Sequence, residues 1–172
     1  MKKENNFLTL SEASDEVKVA MNRVALLHLA YAETIIEKLG KEEGKHVIIE
    51  AIFNYGEKIG KRVLKGERDL PKIGVYSEEI IRNEWGDFIV HGCQLAKIFK
   101  EYDNLELGSL YCYVDPAKSM IMDKTKKVFH KTCEACGDDK CTLAIIDTTN
   151  KEQENFKKRI HLEDLDNYLL KK

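Results

Sequence analysis

The stretch KKVFHKTCEACGDDKCTLAIIDT, from Lys126 to Thr148, decides the fold. Both ends read as strands. Lys126 to Cys133 carries Val128, Phe129 and Thr132, and Cys141 to Thr148 carries Thr142, Ile145, Ile146 and Thr148, residue types that suit a pleated surface. The connection Cys136-Gly-Asp-Asp-Lys-Cys141 is turn chemistry. The spacing predicts an antiparallel hairpin with three cysteines gathered at its tip. Cys133-Glu-Ala-Cys136 is a C-x2-C unit, which puts two sulfurs on one tight turn. The returning strand brings Cys141 back beside them. A tetrahedral zinc site needs a fourth ligand. Cys112, on the preceding helical segment, is the first choice, with His130 and Cys93 as the alternatives. A closed set of four protein ligands makes such an ion structural. The other readings of the cluster are reduced, half-buried thiols, a redox C-x2-C unit, or an iron–sulfur site.

N-terminal to the hairpin the pattern is helical. From Asp15 to Leu39 apolar residues recur at Val17, Met21, Val24, Leu27, Tyr31, Ile35 and Leu39, with Ser11 or Ser14 as cap and Gly40 as stop. A second helix runs from Glu42 to Lys65 and ends at Gly66. Helices this long with so short a link pack antiparallel. Residues 66–76, around Pro71 and Gly74, read as a linker, and Ser77 to Trp85 as a short helix. Asp87 to Cys93 reads as extended, and Leu95 to Tyr102 and a stretch from Asn104 as helical. Asp115-Pro116 reads as cap and first position of a further turn. Residues 1–13 form a loose lead-in, and residues 151–172 a C-terminal helix docked on the body or on a partner subunit. The expected fold class is α/β in the α+β sense. Two long N-terminal helices and further helices pack on a small antiparallel sheet that ends in a zinc-knuckle hairpin, all within one domain spanning 1–172.

Composition agrees with one ordinary domain. The chain has 172 residues, 43% of them hydrophobic, and a formal charge of 28 − 30 = −2. That balance argues against a general nucleic-acid binder. No membrane span is expected. Apolar runs such as Val24 to Ala32 reach only about half of the ~20 residues that a span requires, and His28 interrupts that one. The N-terminus carries no apolar leader segment, so a cytoplasmic location is expected, where thiols stay reduced.

Outside the cysteine cluster, three features have both a structural and a functional reading. In an extended segment His91 and Cys93 share one side, and a neighbouring imidazole can lower a thiol pKa and create a nucleophile. The alternative is a small buried cysteine beside an unrelated histidine. Asp115 is either a helix cap or a site carboxylate near Cys112. Gly56 and Gly60, following Tyr55, lie on one helix face. They allow either close approach of another helix or room for a ligand. Tyr111 could line a pocket or fill the core. His28, His46 and His161 read as helical surface or core residues.

With those residues in view, the segment from Cys93 through Cys141 resembles the L-2-amino-thiazoline-4-carboxylic acid hydrolase family. The shared features are Cys93 before a helix, Leu107-Gly-x-Leu-Tyr-Cys112 with Asp115 following, Gly137-Asp-Asp-Lys-Cys141 before a strand, and the Tyr55-Gly-x-x-x-Gly60 helix. After Asp115 the chain reads Ser119-Met-Ile-Met-Asp123, where that family has an aromatic-Asn-Pro stretch. The resemblance implies hydrolytic opening of a thiazoline ring. Water adds at the carbon between nitrogen and sulfur and the C–S bond breaks, with Cys93 attacking, His91 as acid or base, Asp115 orienting, and a cation such as Lys61, Arg62 or Arg82 holding the substrate carboxylate. The C-terminal half also resembles 4-vinyl reductase domains, which bind small molecules. That resemblance implies zinc held by Cys112, Cys133, Cys136 and Cys141, an often dimeric fold, and a non-catalytic binding domain as the alternative function. Tyr55, Gly56, Gly60 and Tyr111 are then the expected ligand-binding residues. A small-molecule ligand and a second copy of the chain are the expected partners, without nucleic acid or membrane.

Overall fold

A computed structural model describes residues 9–69 and 79–170. Among them are six α-helices and a four-stranded sheet, a mixed α+β architecture. Helix α1 (Leu10–Leu39) and helix α2 (Lys41–Leu64) form a hairpin about Gly40, whose φ of 82° suits glycine. The cap of α1 is Thr9, not Ser11 or Ser14. Its hydroxyl accepts from Glu12 N–H while Glu12 reaches back to Thr9, a capping box that moves the helix start into the expected lead-in.

Strands β1 (Glu79–Arg82) and β2 (Phe88–His91) follow, then α3 (Gln94–Glu101), α4 (Leu105–Ser109), a 3₁₀ turn (Leu110–Tyr113) and α5 (Val114–Met122). Strands β3 (Lys126–Thr132) and β4 (Cys141–Asp147) make the expected hairpin, and α6 (Asn150–Lys158) comes after it. The sheet order is β1-β2-β4-β3 and every pair is antiparallel.

Two expectations are corrected. Within Ser77 to Trp85, residues 79–82 form a strand. The Asn83 side chain accepts from the N–H groups of Trp85 and Asp87, and this turn pairs the strand with β2 in place of a helix. The C-terminal segment is not one helix. It stops at Arg159, whose φ is 60°, and resumes as a 3₁₀ run, Leu162–Leu170, broken by Asp166 at φ −147° and ψ 78°. His161 therefore lies in a turn outside any helix. The linker at residues 70–76 and Ser77 lie outside the described residues.

The core runs between α2, α5 and the sheet, around Phe53, Phe99, Leu110, Tyr113, Met120 and Leu165. Gly56 and Gly60 are what let α5 lie against α2. A Cβ on Gly56 would sit 2.6 Å from Ala117 Cβ and 2.9 Å from Val114 O, and one on Gly60 would sit 2.8 Å from Lys118 O. These glycines meet another backbone, so their assignment as ligand-binding residues is corrected to helix packing. Ser119 then ties α5 to β3: its hydroxyl donates to Asp115 O and accepts from Val128 N–H.

Candidate metal centre and adjoining cavity

The 3₁₀ turn between α4 and α5 carries Cys112 toward the hairpin tip. Asn104 caps α4 by accepting from Leu107 N–H, and Gly108 rests directly against the Phe99 ring, which fixes where that turn begins. At the tip, Cys133 follows β3 and precedes a 3₁₀ turn, Glu134–Cys136. Gly137, at φ 91°, reverses the chain so that Asp138 Oδ2 accepts from Cys133 N–H at 2.7 Å. Cys141 opens β4, and its Sγ accepts from Glu134 N–H at 3.3 Å. The Glu134 carboxylate takes the N–H groups of Gly92 and Cys93, each at 2.7 Å, and so locks the tip to the start of α3.

The structure brings Cys112 and Cys133 together with His130. Cys133 Sγ lies 3.8 Å from Cys112 Sγ, and the thiols of Cys136 and Cys141 are near enough to affect its ionisation. Donor atoms of Cys112, His130 and Cys133 lie within 4.8 Å of one another, close enough to hold one metal ion. The sulfur–sulfur spacing fits such an ion, because four ligands about 2.3 Å from a tetrahedral zinc are separated by about 3.8 Å. The thiols share protons unequally. Cys133 is pushed far up by its interactions with Cys112, Cys136 and Cys141 and by burial. Cys112 is drawn down to about 6 by its hydrogen bond with Cys133, against the effect of burial and with help from His130. Cys136 is also lowered, by Cys133.

His130 is 1% exposed and sits beside a register shift in the β3–β4 ladder. Its Nδ1 is 2.6 Å from Asp166 Oδ2, the same oxygen that accepts its main-chain N–H at 2.9 Å. Burial opposes a charge on this ring. The hydrogen bonds with Asp166 and Cys112 outweigh burial and hold His130 well above its ordinary value.

A cavity of about 160 Å³ adjoins this cluster. Cys112, Cys141 and His130 line it together with Tyr55 and Tyr111, whose hydroxyls are 3.5 Å apart. Asp115 also faces it. Its Oδ1 lies 3.1 Å from Lys118 Nζ and its Oδ2 3.6 Å from His130 Nε2. It follows the 3₁₀ turn without capping anything, because Tyr113 before it is already helical. Lys118 also pairs with Asp69 at 2.8 Å, and the two carboxylates keep its pKa raised although burial opposes them. A second, apolar groove of about 400 Å³ between α1 and α2 shares the walls formed by Tyr55 and Tyr111.

No protein-family model, curated protein or solved structure matches the chain.

The thiol pair expected at His91 and Cys93 is not assembled as a nucleophile. Gly92 has a φ of 69°, which ends the alternation that would put both side chains on one side. Cys93 reaches the cavity wall and His91 does not. Burial pushes the Cys93 thiol up to about 12, opposite to the activation that catalysis would need.

Three site residues had no place in the sequence argument. Lys118 could have been found as an i,i+3 partner of Asp115 on one helix. Asp69 sits in the stretch read as linker, and Asp166 in a tail whose apolar spacing read as a helix; neither carried a local signal.

Proposed function

We propose that this chain is a zinc-stabilised small-molecule-binding domain. The observation that carries this reading is the cavity itself, which Cys112, Cys141 and His130 line together with the Tyr55–Tyr111 pair. Cys112, Cys133, Cys136 and Cys141 would hold the ion, which would fix the hairpin tip as one wall of the pocket. The resemblance to 4-vinyl reductase domains supports the same four positions. Four thiolates close the ion to substrate, so its contribution is structural. The guest would be a compact, partly aromatic molecule. Tyr55 and Tyr111 would offer ring faces and hydroxyls, and Asp115 and Lys118 a charged edge. Output from a domain of this kind passes through a partner, and a second copy of the chain is one such partner.

The thiazoline-opening activity is the second reading, favoured by one observation: Cys93, Asp115 and Lys118 all line the cavity. Lys118, rather than Lys61, Arg62 or Arg82, would hold the substrate carboxylate.

One experiment separates the readings. The zinc-loaded protein is titrated with 4-fluorobenzyl alcohol under fluorine NMR, and separately incubated with L-2-amino-thiazoline-4-carboxylate while free thiol is assayed. The binding reading expects saturable binding that is lost when Val114→Trp fills the cavity, and no thiol release. Thiol release above the rate of a Cys93→Ser variant would establish the hydrolase instead. Probe binding that survives Val114→Trp would remove the cavity from both accounts.

A further inference from the structure

The C-terminal segment reaches the cysteine cluster through two carboxylates that behave alike. The break at Asp166 departs from helical geometry and turns that side chain inward, where it is 0% exposed. Its Oδ2 takes both the main-chain N–H of His130 and the ring at Nδ1, at 2.9 and 2.6 Å. One oxygen thereby fixes the imidazole in position and tilt. At the opposite ring edge Nε2 lies 3.6 Å from Asp115 Oδ2, and the ring has a nitrogen within 4.8 Å of the Cys112 sulfur. Two residues on, the Tyr168 hydroxyl donates to Asp138 Oδ2 at 2.8 Å. That oxygen also accepts from Cys133 N–H at 2.7 Å. Each carboxylate oxygen therefore joins the tail to one of the two cysteines whose sulfurs are 3.8 Å apart.

The donor count gives this arrangement its meaning. Cys112, His130 and Cys133 place donor atoms within 4.8 Å of one another, Cys136 and Cys141 adjoin Cys133, and a tetrahedral ion takes four of these five groups. With the sulfurs filling the set, the imidazole becomes a hydrogen-bond partner of a thiolate. Groups in that position orient ligands and offset their charge. We infer that residues 162–170 form the outer shell of the metal centre, Asp166 acting on Cys112 through His130 and Tyr168 acting on Cys133 through Asp138. Asp166, His130 and Tyr168 are positioning residues, and the tail is a clasp on the site. This inference rests on the reading that the cluster holds a metal.

The test loads the full chain with cobalt(II), follows its absorption spectrum, and times metal loss to an excess of chelator. Asp166→Asn is nearly the same shape and keeps the fold under circular dichroism. It is expected to lose cobalt about 10–100-fold faster than the parent, the range usual for outer-shell changes, with an unchanged four-sulfur spectrum. Tyr168→Phe removes a single hydroxyl and is expected to speed loss by a smaller factor. It keeps the test decisive if the first variant misfolds. His130→Gln is expected to keep the spectrum and to lose metal as fast as Asp166→Asn. Release rates equal to the parent in Asp166→Asn and Tyr168→Phe would overturn the inference. So would a His130→Gln spectrum that has lost a nitrogen ligand, since the imidazole would then be a ligand itself. Failure of the parent chain to take up cobalt is a different result: it overturns the metal reading on which the inference stands.

Discussion

Where α2 meets α5, the chain has removed side chains so that two backbones can touch. At the β3–β4 tip it has done the reverse and crowded polar side chains into a dry space. The first contact is made by Gly56 and Gly60 against Val114, Ala117 and Lys118, and dispersion with apolar burial is enough to hold it. The second gathers buried thiols, His130 and Asp166, groups that cost free energy to bury unless each finds a partner. Asp166 Oδ1 is buried without a hydrogen bond among the described residues even so. The helical region is therefore held by its own packing, whereas under the proposed metal reading the tip would be stable to the extent that an ion joins its sulfurs.

The largest expected effect breaks the two regions apart. Stripping the metal, or Cys136→Ser, should remove much of the ~10–16 kcal/mol of apparent binding energy that such sites contribute. Amide exchange should then show β3, β4 and the tail losing protection while α1 and α2 keep theirs. Uniform loss across the chain would mean the helical region depends on the tip as well, and the contrast drawn here would fail.

How much of this was legible in the sequence follows the same division. The helical hairpin was legible apart from the first turn of α1, because apolar spacing and Gly40 are local signals. So was β3–β4, because β-branched runs about a turn are local too. The convergence of Cys112 on Cys133 was legible through residue type, since few other uses explain cysteines at that spacing. Asp166 was not, because its role depends on a break inside a segment whose spacing is helical. Strand β1 was missed for a related reason: four residues are too few to show a period, and only pairing with β2 makes them a strand. The glycine pair was visible, but whether a bare helix face meets a ligand or another helix is a tertiary fact.

A smaller effect tests the glycine contact. Gly56→Ala should lower stability to urea. Helix propensity gains ~1 kcal/mol, but overpacking costs ~1–3 kcal/mol. The new methyl meets Val114 O at 2.9 Å and Ala117 Cβ at 2.6 Å, neither of which can move without α5. Metal content should be unchanged. A variant that gains stability would show that α5 shifts easily and that this interface is loosely held.

The two capping boxes compare an end joined to the tip region with a free one. Thr149 caps α6 with Glu152, and Glu152 Oε1 also lies 2.6 Å from the buried Lys127 of β3. Thr9 caps α1 where Leu10 is 70% exposed. Thr149→Ala should cost ~1 kcal/mol in global unfolding. Thr9→Ala should cost less, because that end can fray without the rest. Equal costs would mean that α6 is no better tied to the sheet than α1 is to its own first turn.

The smallest effect appears only in acid and separates the regions by sign. His28, in the helical region, is buried between Phe99 and Tyr111, and its Nε2 lies 2.8 Å from Leu107 O. Burial lowers its pKa, although the Leu107 carbonyl pulls the other way. The unfolded chain binds a proton near pH ~6.5, before the folded one does. Stability from this residue is therefore complete above that pH and falls as pH drops toward the lowered folded value. His130 at the tip is shifted upward, so its contribution has the opposite slope and is lost as pH rises. His28→Gln keeps a donor for Leu107 O and cannot titrate. Urea midpoints measured from pH 7.5 down to 5 should fall less steeply in this variant than in the parent, with the two converging at the upper end. Parallel curves would mean that His28 binds its proton alike in the folded and unfolded chain, and a steeper fall in the variant would mean that the helical region holds a buried charge after all.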